Sequence, residues 1–120
     1  MPAEAPYDLL LSGGHVVDPA NDVDGIVDVA VRDNKIAAVG VNLPGSATHT
    51  VDCSGLWIVP GLLDIHVHTY ITRDSTVGGF GGSVDGDAHF LKEGVTTCVD
   101  TGTAGSEEIE HFRKTIIDRS

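Results

Sequence analysis

A chain of 120 residues with 41% hydrophobic content can bury one modest core. Seven Lys and Arg against eighteen Asp and Glu give a net charge of −11. That balance argues against nucleic acid and anionic membranes as partners, since both reward a basic patch. No stretch approaches the roughly 20 apolar residues of a membrane helix.

The N-terminus carries Glu4, no basic segment and an apolar run of only Leu9 to Leu11, so it is not expected to be a signal peptide. Cys53 and Cys98 lie far apart and outside any C-x-x-C pattern, which suits reduced thiols and a cytoplasmic location. Tyr7 to Ser12 reads as a strand, broken by Gly13-Gly14 before His15-Val16-Val17. Asp18-Pro19 and Asn21-Asp22 mark a polar turn. In Val27 to Arg32 the valines at 27, 29 and 31 share one face, and Asp28, Ala30 and Arg32 the other. Asp33-Asn34 suits a two-residue hairpin turn, because both residues tolerate positive φ. Lys35 to Val39 would return, and His49 to Cys53 and Leu56 to Val59 follow the Pro44-Gly45 loop as short strands. Residues 1–59 therefore read as a small antiparallel β module of hairpins.

Residues 59–70 read V-P-G-L-L-D-I-H-V-H-T-Y. After the Pro60-Gly61 turn, Leu62 to Val67 has the length and apolarity of a buried strand. Alternation places Asp64, His66 and His68 on one face and Leu63, Ile65 and Val67 on the other. Histidines two apart on a strand have Cα atoms roughly 6.5–7 Å apart. Their nitrogens can therefore converge on one divalent metal at about 2.0–2.1 Å, as for Zn²⁺. An ordinary pair of polar residues at a strand end is the plainer alternative for an isolated H-x-H.

P-G-L-L-D-I-H-V-H resembles the first barrel strand of the amidohydrolase superfamily, metal-dependent hydrolases built on a (β/α)₈ barrel. The resemblance implies an α/β protein in which His66 and His68 bind the more buried of one or two divalent ions, most simply Zn²⁺. Asp64 and Asp100 are then candidates for orienting those ligands from behind. It further implies that residues 1–59 are the N-terminal part of a composite β-sandwich, whose opening Tyr7 to Leu11 resembles. Residues 60–120 would be the first βαβα segment of the barrel. A complete barrel takes about 250 residues. The chain is accordingly expected to be the start of a longer protein, with the other metal ligands and a general-base Asp beyond Ser120. Alone it is expected to be inactive.

From Thr69 to Ala88 the chain is glycine-rich, with Gly78, Gly79, Gly81, Gly82 and Gly86. It lacks the Lys-Ser/Thr of a phosphate-binding loop and reads as a long loop at the barrel mouth. Arg73, Asp74 and Asp85 there are candidate substrate contacts, with simple solvation as the alternative. Ala88 to Lys92 is a short helical piece, and Val95 to Asp100 is a β-branched run that reads as a second buried strand. In it Cys98 reads as a small buried hydrophobe. G-V-T-T-C-V-D-T-G resembles the second barrel strand of the same superfamily. Ser106 to Arg119 reads as a helix capped by Ser106, with Ile109, Phe112, Ile116 and Ile117 forming one apolar stripe and His111 outside it, exposed. His15, His49, His89 and His111 are not expected to bind metal.

The T-G-T-A-G turn and the I-I-D-R-S helix end resemble the dihydroorotase-like deacetylase branch. The function this implies is hydrolysis of a C–N amide bond in a small cyclic or N-acyl substrate by metal-activated hydroxide. A homo-oligomer is compatible with it. Two other readings are a truncated, non-enzymatic scaffold or binding relative, and a free-standing β module with an appended βαβα piece.

Overall fold

The computed structural model describes residues 7–70 and 83–120. The chain divides into two compact units, Met1–Pro60 and Gly61–Ser120. No helix among the described residues is long and apolar enough to cross a membrane.

The first unit holds β1 (Tyr7–Asp18), β2 (Val23–Arg32), β3 (Lys35–Gly40), β4 (Ala47–Asp52) and β5 (Trp57–Ile58). Their order is β3-β2-β1-β4, with β5 also on β1. The β1/β2 and β2/β3 pairs are antiparallel, as expected, but β4 and β5 run parallel to β1. The sheet is therefore mixed and not a pure series of hairpins. A parallel pair needs a long crossover, and the β2–β3 hairpin serves as that connection between β1 and β4. Asp33 and Asn34 at the hairpin tip have φ of 52° and 58°, the paired positive values of a tight two-residue turn.

Gly13-Gly14 does not break β1. Gly13 takes φ 71°, and the register with β2 shifts between Leu11 and Gly14. This is a bulge, in which one glycine absorbs the left-handed conformation and the strand continues. The two halves of β1 then take successive partners, Tyr7 to Ser12 with β4 and His15-Val16 with β5. The amide of Gly13 is satisfied by Asp28 Oδ1 at 2.9 Å, and the same carboxylate accepts from Ser12 Oγ and Leu43 N. The backbone bonds from Gly13 and then Leu43 hold the Asp28 carboxyl below its usual range. Asp28, Val29 and Ala30 are consecutive and all buried, so β2 is covered on both faces at its middle.

The second unit contains β6 (Leu62–Val67), α1 (Gly86–His89), a 3₁₀ turn at Leu91–Glu93, β7 (Val95–Asp100), α2 (Gly105–Thr115) and a 3₁₀ turn at Ile117–Arg119. β6 and β7 pair in parallel. α1 is a single turn, capped by Asp85, whose side chain accepts from Ala88 N at 3.1 Å. Asp85 thus has a structural partner. Arg73, Asp74 and Gly78 to Gly82 lie outside the described residues.

Three expectations are corrected here. β6 and β7 are not buried: Leu63 is 58% and Ile65 68% exposed, and Cys98 is exposed too. Two strands leave most of their surface open, and among the described residues the buried cluster is Tyr70, Ala104 and Phe112, with Ile116 against it. Second, α2 begins at Gly105 without a side-chain cap, so Ser106 lies inside its first turn. Third, Phe112 is the buried member of the apolar stripe, while Ile109 and Ile117 are exposed and His111 is half-buried. The helix is turned so that Phe112 meets Tyr70, which carries His111 inward with it.

Gly61 is held by close packing. A Cβ there would overlap the Thr96 side chain, coming within 2.8 Å of its branched Cβ. Gly61→Ala is therefore expected to cost about 1–3 kcal/mol of stability, read from the shift in a urea unfolding midpoint.

Candidate functional site

β6 and β7 end side by side, with Val67 opposite Asp100. The chain beyond each strand is tied to the other, because Thr101 N donates to Val67 O at 3.1 Å. At this end stand His66, exposed, and His68, half-buried. Their ring centroids are 5.6 Å apart and the rings are nearly perpendicular, at 83°. His68 Nδ1 lies 2.7 Å from Thr103 Oγ1. A partner of this kind on one ring nitrogen fixes the orientation of an imidazole that uses the other.

Asp64 is spent on its own strand, accepting from His66 N at 3.0 Å. Asp100 does more. Its Oδ2 accepts from Thr69 N, Tyr70 N and Thr69 Oγ1, and its Oδ1 from Thr103 N and Gly102 N. Burial pushes its pKa up, but the amides of Thr69, Thr103 and Tyr70 together with the Thr103 hydroxyl outweigh that and hold it below the usual carboxylate range. It is therefore an anion that clamps both the segment after His68 and the turn that carries Thr103.

Tyr70 is 1% exposed. Its hydroxyl donates to Glu108 Oε2 at 2.9 Å and lies 2.8 Å from His111 Nδ1. Its ring packs on Phe112 at 5.2 Å. The backbone here is held as well: Val84 N donates to His68 O, and Ser83 Oγ to Tyr70 O. Thr103, Tyr70, Glu108 and His111 were not singled out in the sequence as parts of one site. The available signal was the three-residue spacing of Glu108 and His111, which puts both on one helix face.

The remaining histidines lie elsewhere. His15 pairs with Asp24 at 2.6 Å and stacks on Trp57, while His49 and His89 are exposed. A cavity of about 660 Å³ lies between β7 and α2, lined by Phe90, Val95, Val99, Phe112 and Ile116 among others; neither His66 nor His68 borders it.

The donor set suits a divalent metal in part. An imidazole centroid sits about 3.2 Å from a zinc ion bound to its nitrogen, so two ligands at a tetrahedral angle have centroids about 5.2 Å apart. The observed 5.6 Å is close to that value. Among the described residues no group of three or more His, Cys, Asp and Glu side chains gathers. The pair could supply two ligands of such a site.

No family model matches the chain. Among curated proteins, it is 43% identical over 60 residues to the dihydroorotase of Syntrophotalea carbinolica, a match covering 50% of this chain and 14% of that protein. It is 39% identical over 103 residues to the D-aminoacylase of Alcaligenes xylosoxydans xylosoxydans, covering 83% of this chain and 19% of that protein. Among solved structures, a dihydroorotase aligns with a TM-score of 0.74 and 33% identity over 93% of this chain and 28% of its own. A D-aminoacylase structure described as defining a novel subset of amidohydrolases aligns at 0.57 and 34% identity, over 79% and 18% of the two chains. The chain belongs to the amidohydrolase family.

It spans about a seventh to a fifth of the curated amidohydrolase relatives it matches. The D-aminoacylase match covers 83% of 120 residues, so wherever it begins it includes His66 and His68. D-aminoacylase is elsewhere described with a binuclear metal centre. An N-acyl-D-glutamate deacylase from Bordetella bronchiseptica, complexed with zinc and a phosphonate mimic of the tetrahedral intermediate, aligns at a TM-score of 0.60 and 28% identity over 82% of this chain and 19% of its own.

Proposed function

We propose that this chain carries the first metal-binding strand of a metal-dependent amidohydrolase that hydrolyses a C–N amide bond in a small cyclic or N-acyl substrate. In this reading residues 1–59 contribute to a β-sandwich, and residues 60–120 open a (β/α)₈ barrel. Ligands and a general-base Asp from the rest of the whole protein complete the site. The observation that carries the reading is the pair His66 and His68, 5.6 Å apart at a strand end, with His68 oriented by Thr103.

His66 and His68 would hold the more buried ion through neutral imidazole nitrogens, a donor type suited to zinc. A divalent ion bound there would polarise a substrate carbonyl and acidify a water molecule. The chain's own contribution is positional. Thr103 orients the His68 ring, and Asp100 holds both Thr103 and the backbone after His68. Asp64 restrains the backbone at His66. Two free thiols and the acidic surface suit a cytoplasmic enzyme.

The test is metal content and hydrolysis of the intact natural protein. Purified protein is expected to contain stoichiometric divalent metal, to hydrolyse dihydroorotate or an N-acetyl-D-amino acid, to lose activity to a chelator and to recover it with Zn²⁺. Protein without metal and without hydrolysis would overturn the proposal. Stoichiometric metal without hydrolysis of any small amide would point instead to a non-enzymatic relative.

A further inference from the structure

We propose that Tyr70, Glu108 and His111 form a latch by which helix α2 sets the orientation of His68, which makes all three positioning residues for the metal site. The inference rests on the reading of His68 as a ligand.

Tyr70 lies two residues beyond His68, and the stretch between them is held on every side. His68 O, Thr69 N, Tyr70 N and Tyr70 O each have a hydrogen-bond partner in residues 83–100. A segment fixed this way transmits a displacement of one end to the other. The Tyr70 side chain is its tie to α2. A tyrosine hydroxyl has one proton and two lone pairs. With that proton given to Glu108 at 2.9 Å, the 2.8 Å contact to His111 requires Nδ1–H to donate to the same oxygen. The hydroxyl is then held from both sides by residues on one helix face. The Tyr70 ring is in addition clamped by Phe112 and Ala104, members of the same buried cluster.

A tyrosine kept only for packing would not need two polar partners at its tip, and phenylalanine would serve. The hydroxyl adds direction. It fixes the rotation of α2 about its axis relative to the end of β6. The turn before α2 carries Thr103, whose hydroxyl meets His68 Nδ1. The latch and the Thr103 contact thus close a ring through residues 68–70 and 103–111, and loosening Tyr70 frees Thr103 to move away from the imidazole.

The experiment compares Tyr70→Phe, Glu108→Ala, Glu108→Gln and His68→Ala in the intact natural protein. Zn²⁺ affinity is measured by competition with a chelating dye, and the visible absorption of the Co²⁺-loaded protein is recorded. Loss of an indirect orienting contact typically costs 10–100-fold in metal affinity, and at one further remove about tenfold is expected for Tyr70→Phe and Glu108→Ala. Both should also shift the Co²⁺ bands. Glu108→Gln, whose amide oxygen can still accept from Tyr70, should stay near wild type. Unchanged affinity and Co²⁺ bands in Tyr70→Phe and Glu108→Ala, with binding lost in His68→Ala, would overturn the latch and leave the metal site standing. If His68→Ala also bound metal normally, the functional reading itself would fall. Should Tyr70→Phe not fold, Glu108→Ala on its half-exposed helix face carries the same expectation.

Discussion

His68→Ala is expected to remove bound metal from the intact protein and to lower kcat/KM on the order of 10³-fold, the equivalent of losing several kcal/mol of metal-derived stabilisation. His66→Ala should behave alike. The fold should survive both changes. His66 is exposed, and His68 is half-buried with its Nδ1 on the Thr103 hydroxyl, a bond worth about 1 kcal/mol. Thermal unfolding and metal analysis on the same samples check this. A near-native melting curve with less than a tenth of the wild-type metal is the expected pair of results. His49→Ala, on the exposed face of β4, serves as the control and should leave metal content unchanged. Wild-type metal content in His68→Ala would remove the assignment.

Asp100→Ala should instead damage the fold. Four backbone amides converge on this carboxylate, together with the Thr69 and Thr103 hydroxyls. Each bond to a charged acceptor contributes about 1.5–3 kcal/mol, but several of these donors would be reached by water once the side chain is gone, so a net loss of about 2–4 kcal/mol is expected. Urea denaturation measures it, and a loss under about 0.5 kcal/mol would contradict the clamp. The pH dependence has a definite direction. The folded-state pKa of Asp100 is depressed, so its stabilisation is complete above the unfolded value of about 3.9 and is lost as pH falls through the folded value. Wild type should therefore lose stability below pH ~4 more steeply than Asp100→Asn, which has no carboxylate to protonate there.

What could be read from the residues was mostly local. Asp33-Asn34 announces its turn because the positive φ values are a property of those two residues alone. H-x-H at a strand end and the β-branched run at Val95 to Asp100 are likewise short-range patterns. Long-range pairing was less legible. Nothing in His49 to Cys53 says that β4 will cross to the far side of β1, since that depends on where the β2–β3 hairpin lies. Gly13-Gly14 looks the same as a break or as a bulge, and Asp28, distant in sequence, supplies the partner that makes it a bulge. His111 was placed outside by helix periodicity. Periodicity fixes which residues share a face, whereas the rotation of that face toward Tyr70 is a tertiary outcome. Cys98 and its strand neighbours were read as buried from apolarity, but burial also requires a covering layer, which the described residues do not supply.

The ties on residues 68–70 also impose an order of events during synthesis. Among the described residues, each of these hydrogen bonds comes from chain made later, out to His111, which lies 41 residues after Tyr70. At elongation rates of about 5–20 residues per second, the end of β6 waits about 2–8 s for its last restraint. The histidine pair is thus translated early and positioned late, and in the proposed reading a metal ion offered to the nascent chain meets two histidines before it meets a site.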